Sequence, residues 1–300
     1  MNKFNKIVYT KRKDKFIEKY NYGLNIVDLG EYVVRLSNYC PLECKYCFAN
    51  ELVKDKTTKI YTNYYKLKQE LKNIRKKSDK TLYFNAGENA DSLLFDNVFP
   101  ITQHIIPIFN KYENTYLELR TKTDNIQNLL SIKNNRNIIV AFSISPEEII
   151  KKYEQNTVSL ERRIKALIKC QEAGYLTGLR FEPVINIKNL DKIYTKLIEQ
   201  IRYVIDIKKL HSITLSTIRF TKLQYKKLID KNCKIAFDEF VLCQDNKYRY
   251  FRFIRVKIYK TIISILKDNF KNICILLSTE PEYIWNDCNL EIIRMPEILK

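Results

Sequence analysis

No apolar run in the chain approaches the roughly 18 residues that a membrane helix needs, so a membrane-spanning segment is not expected. The opening stretch, MNKFNKIVYTKRKDKF, is charged and has no apolar core, so no secretory leader is expected either. A chain kept in a reducing cytoplasm uses its eight cysteines as thiols or metal ligands rather than as disulfides. Histidine is nearly absent: His104 and His211 are the only two. Glycine is scarce, at five residues, while Lys, Ile, Asn and Tyr abound, as coding in an A+T-rich genome would give. Acidic residues are the minority charge, 34 against 53 Lys and Arg, for a net charge of +19. That excess fits a polyanionic partner, nucleic acid first, and it fits the same coding bias equally well. No internal repeat or low-complexity linker is visible.

What is present is enough apolar residue, 45% of 300 positions, for one large domain or a domain with a small appendage. Short β-branched runs predict strands at 32–36, 81–86, 115–120, 137–144, 178–185 and 212–217. Helical patterns lie between them. SPEEIIKKY predicts a helix with Ser145 as N-cap, Pro146 at its first position and Glu148 closing a capping box. SLERRIKALIKCQEAG places Leu160, Ile164, Leu167 and Ile168 on one face, with Gly174 as the stop. Ile193, Leu197, Ile201 and Val204 form a similar stripe. Six strand–helix units predict an α/β fold: a partial (β/α)6 barrel with a parallel sheet inside. Its chemistry belongs at the C-terminal strand ends. The pattern changes near residue 218. The expected division is an N-terminal extension (1–28), the partial barrel (29–218) and a small C-terminal α+β appendage (219–300), in which NICILLS suggests one more strand.

The first loop after a strand is NYCPLECKYCFAN, with Cys40, Cys44 and Cys47 spaced CxxxCxxC. Zinc usually takes four ligands, and no second cysteine pair or histidine cluster follows. Three thiolates suit a 4Fe-4S cluster with one iron left open, and an open coordination position means chemistry.

This loop, with an aromatic before its last cysteine, resembles the radical SAM superfamily. A closer resemblance, from about Leu29 to about Tyr259, is to the spore photoproduct lyase family. It is carried by LRTKTDNIQNLL, AFSIS, KYEQNTVSLERRIKALIKCQEAGYLTG and STIRFTK. The resemblance implies that the open iron binds S-adenosylmethionine. The reduced cluster then splits its sulfonium to a 5′-deoxyadenosyl radical, which abstracts hydrogen from a substrate. It implies that Tyr46 lies near the adenine, that Lys122 meets the SAM carboxylate, that Ser143 lies beside SAM, and that Gly87 and Glu88 hold its amino group. Asp91 and Arg180 are weaker candidates. A flavodoxin or ferredoxin would supply the low-potential electron.

The sequence also departs from the family. Lesion-repairing lyases return hydrogen from a cysteine after the second strand, where this chain has Glu88. They carry a tyrosine just after the third cluster cysteine, where this chain has Phe48. Neither replacement donates a hydrogen atom easily. The segment KYRYFRFIRVKIYK (247–260) interleaves cations and rings, a pattern suited to phosphates and bases. By analogy Arg252 and Phe253 would touch substrate; an amphipathic strand and helix with a solvated basic face explains the pattern as well. Three readings follow: an enzyme acting on a nucleic-acid base, possible DNA repair included; a radical SAM enzyme for a peptide or small molecule; and a non-enzymatic Fe–S or zinc nucleic-acid-binding protein.

Overall fold

The computed structural model describes residues 7–30, 32–51, 56–133 and 135–299. Eight strands form the main sheet: β1 (Ile17–Lys19), β2 (Tyr32–Val34), β3 (Leu82–Asn85), β4 (Thr115–Thr121), β5 (Ile138–Ser143), β6 (Leu176–Val184), β7 (Leu210–Thr217) and β8 (Ile275–Leu277). They lie side by side in chain order. β2 to β8 run parallel, and β1 joins antiparallel at one edge. Every residue of β5 is buried, as expected for a strand covered on both faces.

The six expected strands are all present, and a seventh parallel strand joins them. NICILLS does form a strand, but it pairs with β7 in the main sheet, Ile275 opposite Ile213. Residues beyond 218 therefore help to build the barrel wall. Residues 7–28 contribute too, because Ile17 pairs with Val34. Residues 1–6 of the expected N-terminal extension lie outside the described residues. A separate three-stranded antiparallel sheet is made by Arg219–Thr221, Phe240–Leu242 and Lys247–Tyr250.

The helices include α1 (Tyr64–Arg75), α2 (Ile101–Phe109), α3 (Gln127–Leu130), α4 (Glu147–Tyr153), α5 (Leu160–Glu172), α6 (Leu190–Arg202), α7 (Lys222–Asp230), α8 (Arg252–Asn269) and α9 (Glu282–Asp287); α7 packs on the three-stranded sheet rather than on the main one. α5 buries Leu160, Ile164 and Leu167, while Ile168 is half-buried; Ser159 caps its start. Gly174 follows at φ 89°, a left-handed conformation that glycine adopts without strain. Two expectations need correction. α6 buries Leu190, Tyr194, Leu197, Ile198 and Ile201, whereas Val204 lies past its end and is exposed. The helical register of this segment thus turns on Tyr194 and Ile198 more than on Ile193. The capping box at α4 does not form. Pro146 is the cap residue, with no side-chain cap bond. Ser145 instead turns inward and donates to Glu154 Oε1 at 3.1 Å, a buried acceptor that outcompetes the exposed helix start.

The sheet is open between β1 and β8, its two edges. Residues 20–30 cross that opening. Ile26 bridges to Pro281, and the Val27 amide donates to the Glu280 carbonyl at 3.0 Å. The C-terminal strand ends thereby become the wall of a cleft rather than a bare rim.

Candidate active site

Three cysteines of one loop line this cleft. Cys44 is buried; Cys40 and Cys47 are half-buried. Lining it with them are Tyr46 and Phe48 from the same loop, Gly87, Glu88 and Asp91 after β3, Lys122 after β4, and Ser143 at the end of β5. All the residues anticipated around a cluster and its cofactor therefore meet in one cavity of about 200 Å³ that opens to solvent. Burial pushes the Cys40 thiol up to about 12, with Asp91 and Cys47 adding to it. Burial raises Cys44 as well, against the pull of Lys122. Thiols so placed lose their protons to solvent readily only when a bound cation stabilises the thiolate. Among the described residues, no three His, Cys, Asp and Glu side chains converge on a point fit for one metal ion. All three cysteines line the same cavity, and a set of three thiols fits an iron–sulfur cluster better than a four-ligand zinc site.

The loop is anchored by residues that sequence reasoning did not single out. The Tyr46 hydroxyl donates to Glu154, a fully buried carboxylate. Arg163, equally buried, donates to Glu154 Oε2 at 2.6 Å and to the Ser143 carbonyl at 2.9 Å. The Lys45 amide donates to the Tyr153 carbonyl at 2.9 Å. One buried ion pair thus ties the cysteine loop to α4, α5 and the end of β5. Tyr46 is a positioning residue here as well as a cleft wall. Burial works against the charge on Glu154, yet Arg163 and Lys122 hold its carboxyl below the ordinary range.

Lys122 is placed by Asp91, whose carboxylate accepts from the Lys122 amide at 2.6 Å, the Thr121 hydroxyl at 2.9 Å and the Leu93 amide at 3.0 Å. Asp91 is therefore a strand-end clamp. The Lys122 ammonium lies 5.9 Å from the Tyr46 ring centre, facing the cavity that holds the thiols. Glu88 accepts from the Tyr20 hydroxyl at 2.5 Å and from the Asn85 amide at 3.4 Å. Gly87 is packed against Arg120: a Cβ added at Gly87 would fall 2.4 Å from Arg120 Cβ. Its lack of a side chain serves the β3–β4 approach as well as any ligand.

The floor of the cleft carries an ion-pair ladder. Glu118, with no exposed surface, accepts from Arg120 Nε at 2.5 Å and from Arg180 Nε and Nη2 at 2.9 and 3.1 Å. Arg120 reaches on to Glu182 at 3.2 Å, and Thr214 donates to the same carboxylate. Burial opposes charge on Glu118, but Arg120 and Arg180 prevail and lower it to about 2. Arg180 is thus a member of a structural ion pair, although it also lines the cleft. A signal existed: ELR in β4 and RFE in β6 place charges at i and i+2, on one face of otherwise apolar strands.

The basic aromatic segment divides. Arg249, Tyr250, Arg255 and Tyr259 are buried. Arg255 donates to Glu280, Tyr259 donates to Glu280 at 2.7 Å, and Arg249 donates to Asp245 at 2.6 Å. Burial, with Arg219 next in weight, lowers Lys247 to about 8. Arg252 and Phe253 point outward and are not among the residues lining the cleft; Arg252 forms a bidentate pair with Asp287 at 2.6 and 2.7 Å. The residue that reaches the cleft from this side is Arg219, which donates to Thr279 and lies over the Phe48 ring at 5.9 Å.

The family model described as spore photoproduct lyase matches residues 27–288. The spore photoproduct lyase of Bacillus subtilis (strain 168) is 27% identical over 231 residues, 75% of this chain and 66% of the relative. That of Clostridium acetobutylicum is 26% identical over 226 residues, with the same two coverages. The chain therefore spans just under two thirds of the length of these relatives. A solved spore photoproduct lyase mutant with bound AdoMet and dinucleoside spore photoproduct superposes with a TM-score of 0.78 at 20% identity, over 90% of this chain and 81% of that one. This likeness shows the fold, a partial barrel.

Proposed function

Because the chain belongs to the spore photoproduct lyase family, we propose that it is a radical SAM enzyme of lyase type. Cys40, Cys44 and Cys47 would hold a 4Fe-4S cluster, with S-adenosylmethionine on its open iron. The bound pair would supply a 5′-deoxyadenosyl radical that abstracts hydrogen from substrate. The observation that carries this reading is the meeting of three thiols with Lys122, Ser143 and Glu88 in one cavity at the strand ends. Lys122 offers a point charge to the cofactor carboxylate, and its backbone is held still by Asp91. Glu88 offers a carboxylate to the cofactor ammonium, oriented by Tyr20. Arg120 and Glu182 line the cleft with fixed, mutually paired charges.

The substrate class best supported is a nucleic-acid base lesion, through family membership and the net charge of +19. Such a base would have to leave its stack to enter the cleft. Return of hydrogen falls to a group other than the cysteine that Glu88 replaces. Tyr22 is the phenol that lines the cleft beside Glu88, 4.2 Å ring to ring from Tyr20. Burial and then Glu88 raise its pKa, so it keeps its O–H bond at neutral pH. We assign it the donor role: its O–H hydrogen would pass to the substrate radical, and the tyrosyl radical left behind would return to tyrosine with one electron from the low-potential carrier and one proton from solvent. Arg252 and Phe253 contact substrate under this reading only as an extension beyond the cleft, along a strand of nucleic acid.

A second reading, modification of a peptide or small molecule, is favoured by Glu88 and by the burial of Arg249 and Arg255, which shrinks the basic face. One experiment tests both. The protein is reconstituted anaerobically with iron and sulfide, reduced, and given SAM with or without an oligonucleotide carrying spore photoproduct; Cys44→Ala is the control. Recovery of thymine supports lesion repair. Cleavage of SAM with an intact lesion supports the second reading. No 5′-deoxyadenosine from a cluster-loaded sample would overturn both.

A further inference from the structure

A second cleft lies on the other side of the cysteine loop. Among the described residues six lysines line it, Lys45, Lys56, Lys152, Lys227, Lys231 and Lys234, against one acidic residue, Glu43. All six are exposed. They come from separate parts of the chain: the cysteine loop, its return at residue 56, the end of α4, and α7 with the turn after it. The fold therefore gathers this charge. Lys56 is paired with Glu43 at 2.5 Å, and Lys152 lies 5.2 Å from the Tyr153 ring centre, so the groove keeps a strong positive excess. One residue lines both this groove and the inner cleft: Cys47. An occupant of the groove would meet the cluster loop from behind, without entering the space where cofactor and substrate would sit.

The geometry points to this groove as the docking surface for an acidic one-electron carrier protein, with Cys47 as the point of closest approach to the cluster. The inference rests on the reading that the three cysteines hold an iron–sulfur cluster. The carrier would give up one electron and the cluster would gain it; no covalent bond forms or breaks. Lysines suit this task because point charges on flexible stems steer an oppositely charged partner without locking it, as a transient encounter requires. Nucleic acid is the weaker fit. Among the described residues the one ring lining the groove, Tyr153, is buried, so none of them offers the cations a stacking platform.

The test uses the cluster-loaded full chain, a purified bacterial flavodoxin as probe, and the triple variant Lys152→Glu/Lys231→Glu/Lys234→Glu. Flavodoxin binding is measured by calorimetric titration at low and high salt. SAM cleavage is then measured with reduced flavodoxin and, separately, with dithionite. The expected result is an affinity for flavodoxin weakened about tenfold or more at low salt, with the difference shrinking at high salt. Carrier-driven cleavage slows to match, while dithionite-driven cleavage is unchanged. The corresponding triple alanine variant moves in the same direction by less, which separates lost charge from lost folding. Unaltered flavodoxin binding overturns the proposal. So does weakened binding of duplex DNA with flavodoxin binding intact, which makes nucleic acid the occupant. If the wild-type chain cleaves no SAM with dithionite, the active-site reading fails, and the binding titration still decides the docking surface by itself.

Discussion

Replacing Glu118 by glutamine removes a negative charge from a place with no exposed surface. The carboxylate holds Arg120 and Arg180 together under the cleft. Its pKa falls from 4.5 to about 2 on folding, because the two guanidiniums outweigh the cost of burial. A lowered carboxylate stabilises the folded state above its unfolded pKa and loses that contribution as pH falls through the folded value. At 1.36 kcal/mol per pKa unit the contribution near neutral pH is about 3 kcal/mol. It falls to about 2 kcal/mol near pH 3.5 and to nothing well below pH 2. Breaking a buried pair by removing one partner costs a similar ~3–5 kcal/mol. For a urea slope of about 3 kcal/mol/M, Glu118→Gln should lower the unfolding midpoint near neutral pH by about 1 M. The assay is urea unfolding of both proteins at neutral pH and near pH 3.5. The gap between them should narrow on acidification. A midpoint difference below about 0.3 M at neutral pH, or a gap that widens in acid, would refute the reasoning.

Gly87→Ala forces a methyl group against Arg120. It should destabilise by about 1–3 kcal/mol through overpacking, read as a lowered Tm. Tyr22→Phe removes the phenol assigned to hydrogen return: 5′-deoxyadenosine should still form while lesion-derived thymine drops, and undiminished thymine would clear Tyr22 of the role. Lys247→Met should stabilise the protein near neutral pH. The folded lysine, lowered to about 8 from 10.5 chiefly by burial, opposes folding while charged. The advantage of the variant should fade as pH rises from about 8 toward 10.5, followed by chemical unfolding across that range.

The barrel strands were legible because each is a short β-branched run between helical patterns, and burial on both faces leaves little room for another reading. The cysteine loop was legible because its ligands are close in sequence. The α4 cap was misjudged because Ser145 had a competing acceptor, Glu154, nine residues on and brought near only by the turn between α4 and α5. The interleaved pattern of 247–260 looked solvated because periodicity does not reveal a buried counter-charge; Glu280 reaches Arg255 and Tyr259 only once β8 has joined the sheet.

By itself the sequence determined the parallel α/β architecture, the three-thiol loop at the first strand end, and the lysine, glutamate and serine set out on successive strand ends. The first two follow from local spacing and from the alternation of strand and helix patterns; the third follows from the resemblance to the spore photoproduct lyase family. Only the tertiary structure decided which charges are spent on one another. It paired Glu154 with Arg163 behind the loop, laddered Glu118 with Arg120 and Arg180 beneath the cleft, and turned Arg252 and Phe253 outward. It also gathered six lysines from separate segments behind Cys47. The physical reason is that a charge is settled by the partner it meets in a place with little water, and whether that partner lies two residues away, as Arg120 does from Glu118, or far along the chain, as Arg180 does, is set by how the chain packs.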